Sequence, residues 1–214
     1  MFKGKVKSLF NLPSFFFKFK TLYKLNLIMK IRLTLITCLI SFISLAQIKS
    51  PDEFLGYALG SRFTYHYQLV EYCKYIAVQR PDLAKWHSYG KTNEGRELGI
   101  LILTKSNNVL NKLDQIRELH HQVIQGQKSA SSDLPVIINL SFNVHGNEAA
   151  GSEAALGAIY DLVKDGGVLA SINKDYVVLM DPCINPDGRD AYVTQYNRRN
   201  FISGGNADPY DQEH

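Results

Sequence analysis

The sequence predicts an α/β fold with a mixed, largely parallel central sheet and helices on both of its faces. Three observations lead there. Residues 136–180 read in the order strand, helix, strand, and such a connection returns the second strand parallel to the first. The first of these strands, Val136 to Val144, is apolar on both sides over most of its length, as expected of a strand covered from above and below. A chain of 214 residues with 45% hydrophobic and 21% charged residues has the composition of a globular protein with a sizeable core. No repeat and no linker divides residues 47–214, so a single domain is expected there.

The N-terminal segment stands apart. Eight of the 24 basic residues (Lys3, Lys5, Lys7, Lys18, Lys20, Lys24, Lys30 and Arg32) fall in the first 46 residues, which hold no Asp or Glu. The other 16 meet 20 acidic residues, so residues 47–214 carry a net charge of −4. A nucleic-acid partner therefore has no electrostatic support. Met29-Lys-Ile-Arg32, the largely apolar run Leu33 to Leu45, and Ser44-Leu-Ala46 before Gln47 form the three parts of a secretory signal peptide. The run is shorter than the roughly 18–20 residues of a spanning helix, so no membrane association is expected after cleavage. Residues 1–28 read as an upstream extension, and translation is expected to begin at Met29. Export implies a periplasmic or secreted protein. Cys38 leaves with the signal, and Thr37 before it does not suit a lipid-anchor cleavage site. Cys73 and Cys183 either pair or lie buried as small apolar residues.

Along the mature chain, Leu69, Tyr72, Cys73, Ile76 and Ala77 mark one face of a helix over Tyr65–Val78, which Pro81 stops. The turn-rich stretch Tyr89 to Glu97 is a hairpin or strand entry that leads into a short aliphatic strand, Leu98 to Thr104. Leu110, Leu113, Ile116, Leu119 and Val123 give a helix within Val109–Ile124. Residues 126–133 are a polar loop, and Pro135 opens the central strand. Good helix formers run from Ala149 to Val163 and end at Gly166-Gly167, and Tyr176 to Met180 is a second buried strand.

Chemistry-bearing residues collect where these strands end. Ligands of open α/β sheets gather at the carboxyl ends of the strands, and there the chain reads Asn143-Val-His-Gly-Asn-Glu-Ala-Ala-Gly-Ser-Glu153. An imidazole at a strand end and a carboxylate in the first helical turn can converge on one point, offering the nitrogen and oxygen that zinc accepts. Equally, His145 can be a surface histidine and Glu148 a residue favoured by the helix dipole. A second polar turn, Asp181-Pro-Cys-Ile-Asn-Pro-Asp-Gly-Arg189, follows the next strand at the same edge. Glu153 and Asp187 are candidates to orient His145, although Glu153 reads more readily as facing along its helix. His120 and His121 read as an exposed helix face, His66 and His87 as ordinary surface or packed residues, and Trp86 and Tyr89 as core or turn packing.

Three motifs in order, Gly90-Lys-Thr-Asn-Glu-Gly-Arg-Glu-Leu98, His145-Gly-Asn-Glu148 and Asn185-Pro-Asp-Gly188, make the chain resemble the zinc carboxypeptidases of the carboxypeptidase A type over about residues 55–200. The resemblance implies that His145 and Glu148 are two ligands of a single zinc ion, completed by a later histidine and a water. It implies peptide or protein C-termini as substrates, a later general-base glutamate, and an oxyanion arginine near Arg198 and Arg199. This chain has Tyr196-Asn-Arg-Arg-Asn200 without the family's tryptophan-containing pattern, so the register of that arginine stays open. His214 follows a polar loop rather than a strand, which does not suit the third ligand. Residues 47–214 are accordingly expected to be an incomplete catalytic domain with its C-terminal part missing: poorly soluble, weak in zinc binding and inactive. Two rival readings remain, a deacylase or cell-wall peptide amidase of the same fold, and a non-catalytic binding module on that scaffold.

Overall fold

The structure is a computed structural model that describes residues 29–32, 47–202 and 204. The chain divides into two compact units, residues 1–46 and 47–214. In the first, residues 29–32 are helical (α1); the rest of the expected signal peptide, the 1–28 extension and His214 lie outside the described residues. Among the described residues, no helix is long and apolar enough to cross a membrane.

The second unit opens with α2 (Pro51–Leu55). Ser50 and Glu53 cap its first turn reciprocally, and Gly56, at φ 77°, ends it in a left-handed conformation that suits glycine. Helix α3 (His66–Gln79) buries Leu69, Val70, Tyr72, Cys73 and Ile76, the face expected from their spacing, and ends at Arg80 before Pro81. Strands β1 (Ala84–Lys91) and β2 (Glu97–Thr104) form an antiparallel hairpin with an irregularity between Ser88 and Gly90. Helices α4 (Asn107–Leu110) and α5 (Leu113–Ile124) lead to β3 (Val136–Ser141). Helix α6 (Ala150–Val163) and the short α7 (Val168–Ser171) return the chain to β4 (Tyr176–Asp181), and α8 (Pro186–Ile202) follows.

The sheet order is β1-β2-β4-β3. Strand β4 inserts between the hairpin and β3, antiparallel to β2 and parallel to β3. The sheet is mixed, as expected, but only the β3-α6-β4 unit is parallel among the described strands. The hairpin supplies antiparallel pairs because a turn of a few residues cannot carry a parallel crossover.

Helices cover both faces of β2 and β4. On one side, Leu101, Leu103, Val178 and Met180 join Leu69, Ile76, Leu156 and Ile159 of α3 and α6 in the main core. Full burial of each such side chain contributes about 1.5–3 kcal/mol. On the other side, Val177, Val109 and Ile116 form a smaller cluster with Ile102 and Leu179. Cys73 and Cys183 are buried free thiols, which resolves their alternatives in favour of packing.

Strand β3 departs from expectation. Among the described strands it lies at the edge of the sheet, and Val136, Ile137, Ile138 and Leu140 are 39–46% exposed. The covered centre of the described sheet is β2 and β4, each with a strand on both sides and helices over both faces. The strand also stops at Ser141 rather than Val144: Asn143 takes a left-handed φ of 58° and turns the chain out of the ladder.

Candidate metal centre

Strands β3 and β4 run parallel, so their carboxyl ends lie at one edge, and each is followed by a tight polar turn. The two turns are laced backbone to backbone. The Ile184 amide donates to Phe142 O at 3.0 Å, the Asn185 amide to Asn143 O at 3.3 Å, and Asn185 Nδ2 to Val144 O at 3.1 Å. A Cβ on Gly146 would lie 2.2 Å from Gly188 O, so glycine is required for this close approach. His145 and Glu148 stand on the exposed side of this seam.

Both candidate ligands are available. Among the described residues, no side chain hydrogen-bonds the His145 ring, and the Glu148 carboxylate receives only a long 3.5 Å contact from the His145 amide. The Glu148 amide donates to His145 O at 3.1 Å, which closes the turn and keeps the two residues together. An open groove of about 470 Å³ runs beside Glu148, lined by Phe63, Phe142, Val144, Asn147, Gly151 and Tyr192 among others. A cavity of about 550 Å³ under α4 and α5 holds His87 but lies over the opposite part of the sheet, away from these turns. An imidazole nitrogen and a carboxylate oxygen suit zinc. Among the described residues, no third His, Cys, Asp or Glu joins them in a potential metal cluster.

Beneath the turn lies a buried polar network that sequence reading did not anticipate. Asn143 Nδ2 donates to His145 O, and Asn143 Oδ1 accepts from Arg189 Nη1 at 2.7 Å. Ser152 Oγ lies 3.1 Å from the same Oδ1 and donates to Pro182 O at 2.6 Å. Arg189, fully buried, also donates from Nη1 to Ala149 O at 2.9 Å, from Nε to Thr64 O at 2.9 Å and from Nη2 to Glu153 Oε1 at 2.6 Å. The second Glu153 oxygen accepts from Thr64 Oγ1 at 2.7 Å. Burial lowers the Arg189 pKa from its usual value, while the Glu153 charge opposes the shift. Glu153 is thus buried against Thr64 and Arg189 and is not a partner of the His145 ring.

The other motif residues tie the hairpin to α8. Thr92 Oγ1 donates to Asp187 at 2.7 Å, and Arg96 bridges Asp187 at 2.7 Å and Asp190 at 2.8 Å. These contacts account for Asp187, which does not orient His145; its pKa is held low by Thr92 and Arg96 against the desolvation that raises it. Tyr89 does more than pack: its hydroxyl donates to Asp181 at 2.6 Å, while burial raises the Asp181 pKa. Trp86 Nε1 donates to Glu97 at 2.9 Å, and His120 Nε2 meets Pro135 O at 2.8 Å, tethering α5 to the start of β3. His66 is buried, with Nε2 2.7 Å from Glu97 O and Nδ1 without a hydrogen-bond partner among the described residues, and burial lowers its pKa.

Arg198 and Arg199 are carried on helix α8. Ten residues beyond Gly188, Arg198 lies about 15 Å along the axis from the seam, at the 1.5 Å rise of a helix. A cue for this helix was present, since Asn185 Oδ1 accepts from the Gly188 amide at 3.0 Å and Pro186 occupies the first turn. The left-handed preference of asparagine could likewise have singled out Asn143. Nothing in the sequence marks Arg189 as buried.

A family profile described as "Zinc carboxypeptidase" matches residues 69–208. No curated protein matches this sequence. Among solved structures, a carboxypeptidase A from Helicoverpa armigera is similar at 18% identity and a TM-score of 0.45, over 75% of this chain and 32% of that one. Bovine thrombin-activatable fibrinolysis inhibitor, solved in complex with tick carboxypeptidase inhibitor, is similar at 16% identity and a TM-score of 0.39, over 64% of this chain and 36% of that one. The chain therefore spans about a third of the length of the solved structures it matches.

Proposed function

The chain belongs to the zinc carboxypeptidase family, and on that premise we propose that the whole protein is a zinc-dependent metallocarboxypeptidase that hydrolyses C-terminal peptide bonds. The observation that carries this reading is the placement of His145 and Glu148. Their side chains are exposed together on the turn that leaves β3, and that turn is locked to the Asn185–Gly188 turn after β4.

In this reading His145 supplies an imidazole nitrogen and Glu148 a carboxylate oxygen, with one further protein ligand completing the set. Zinc in such a site polarises a carbonyl and lowers the pKa of a water to the neutral range. The groove beside Glu148, lined by Phe63, Phe142 and Tyr192, offers an apolar wall against which a peptide can lie. Asn143 and the seam fix the ligand turn before substrate arrives, so little reorganisation remains at the moment of reaction. We assign the oxyanion role to Arg198 or Arg199 on the resemblance of Tyr196–Asn200 alone. Their distance along α8 gives this assignment its own test: Arg198→Gln and Arg199→Gln should separate, with only one lowering kcat.

The central experiment compares the whole protein with His145→Ala and Glu148→Ala. Each variant should stay folded and lose stoichiometric zinc by mass spectrometry, since zinc sites contribute on the order of 10 kcal/mol of binding free energy. Release of C-terminal residues from a peptide panel should be chelator-sensitive in the parent and absent in both variants. Turnover of acylated amino acids or cell-wall peptides in place of that panel would establish the amidase reading instead. Undiminished zinc in both variants would overturn the metal site.

A further inference from the structure

We infer that Arg189, held by Glu153, is a positioning residue that sets the geometry of the His145–Glu148 turn through Asn143. The inference rests on the metal-site reading above and deepens it.

The chain of contacts is short and continuous. Asn143 is the one non-glycine residue with positive φ among the described residues, and left-handed backbone is costly unless the surroundings hold it. Its side chain is held at both ends. Nδ2 donates to His145 O and lies 3.4 Å from Gly146 O, which binds it to the first half of the turn. Oδ1 accepts from Arg189 Nη1 at 2.7 Å. The same Nη1 donates to Ala149 O at 2.9 Å, immediately after Glu148. One guanidinium nitrogen therefore braces the turn just before His145 and just after Glu148.

Arg189 is braced in its turn by Glu153 at 2.6 Å and Thr64 O at 2.9 Å, and Thr64 donates its amide to Glu153 at 2.7 Å. A rigid, planar fork is what this task requires. Lysine can keep one ion pair with Glu153 but cannot also span Asn143, Ala149 and Thr64. Burying such a pair adds little net stability compared with apolar residues of similar volume. Its yield here is a specific turn geometry: neither side chain touches a ligand ring, yet both determine where the ligand backbone lies.

Three variants of the whole protein separate positioning from plain support: Arg189→Lys, which retains the charge pair, Arg189→Met with Glu153→Leu, which removes both charges together, and His145→Ala. Two readouts are taken, amide hydrogen exchange over residues 144–149 in zinc-free protein and zinc affinity by chelator competition. Both Arg189 variants should show at least tenfold faster exchange in that segment while α3 and β4 remain protected. Their zinc affinity should fall about 10–100-fold, as for other residues that orient metal ligands. Unchanged exchange over residues 144–149 in the two Arg189 variants overturns the inference, whatever the metal does. Faster exchange together with parental zinc affinity in His145→Ala leaves the positioning role standing and removes the metal reading. Loss of protection throughout the fold in Arg189→Lys assigns the residue to general stability and also overturns the inference.

Discussion

The contact of Gly146 with Gly188 makes the ligand turn sensitive to a single methyl group. In Gly146→Ala the new Cβ would lie 2.2 Å from Gly188 O and 2.3 Å from its carbonyl carbon, whereas ordinary contact begins near 3.4 Å. The obstacle is backbone, which cannot rotate aside as a side-chain tip can, so the turns must part by about 1 Å. Overpacking of this kind costs about 1–3 kcal/mol. Parting also strains the Asn185 contacts to Val144 O and Asn143 O, at about 1 kcal/mol for each hydrogen bond lost. The expected destabilisation is therefore about 3 kcal/mol, measured by urea unfolding with circular dichroism and Trp86 fluorescence as paired probes. Gly90→Ala is the control, because nothing lies within 4 Å of its added Cβ; its change should stay within about 0.5 kcal/mol. Zinc affinity should drop in Gly146→Ala and not in Gly90→Ala. Equal stability of the two variants would mean that the two turns do not touch and that the seam is misplaced.

Glu153→Leu alone leaves Arg189 buried without its counter-charge and should cost about 3–5 kcal/mol; adding Arg189→Met should recover most of the loss in the same urea titration. The His66 pKa is lowered by burial, so its contribution is fully present above its ordinary value of about 6.5 and is lost as pH falls through the folded value. The urea midpoint should therefore fall between pH 7.5 and pH 5 by more in the parent than in His66→Gln, and parallel midpoints would refute the assignment. Glu97 and Asp82, whose pKa values are held low by Lys74 and Arg80 respectively, add their own losses at more acidic pH. Export should leave a mature N-terminus at or near Gln47, read by N-terminal sequencing, and recovery of intact protein from Met1 would contradict the signal-peptide reading.

Local pattern carried most of the framework. The face of α3, the aliphatic run of β2, the helix formers of α6 and the buried β4 were legible because each reports burial through its own periodicity. His145 and Glu148 were legible as a pair for a related reason, since both fall in the short connection between a strand and the following helix, although α6 begins only at Ala150 and Glu148 precedes its first turn. Strand β1 was not, because Ala84 to Lys91 is mostly exposed and gains its conformation from pairing with β2. The exposure of β3 was also invisible, since an apolar strand reads the same whether or not another element covers it.

What tertiary structure alone decided is the set of contacts between residues far apart in the chain. Arg189 sits 46 residues from Asn143 and 125 from Thr64, yet its guanidinium joins them in one buried network. Arg96 reaches across 91 residues to Asp187, and Gly146 meets Gly188 with no room for a methyl group. Sequence by itself determined the segments that become α3, β2, α5, α6 and β4 and that a histidine and a glutamate stand just past a strand end. It could not determine whether a charged residue in a polar turn faces water or the interior. That choice depends on whether the folded chain supplies acceptors for the donors the residue carries, and for Arg189 those acceptors come from Thr64 and from three residues of the distant stretch 143–153.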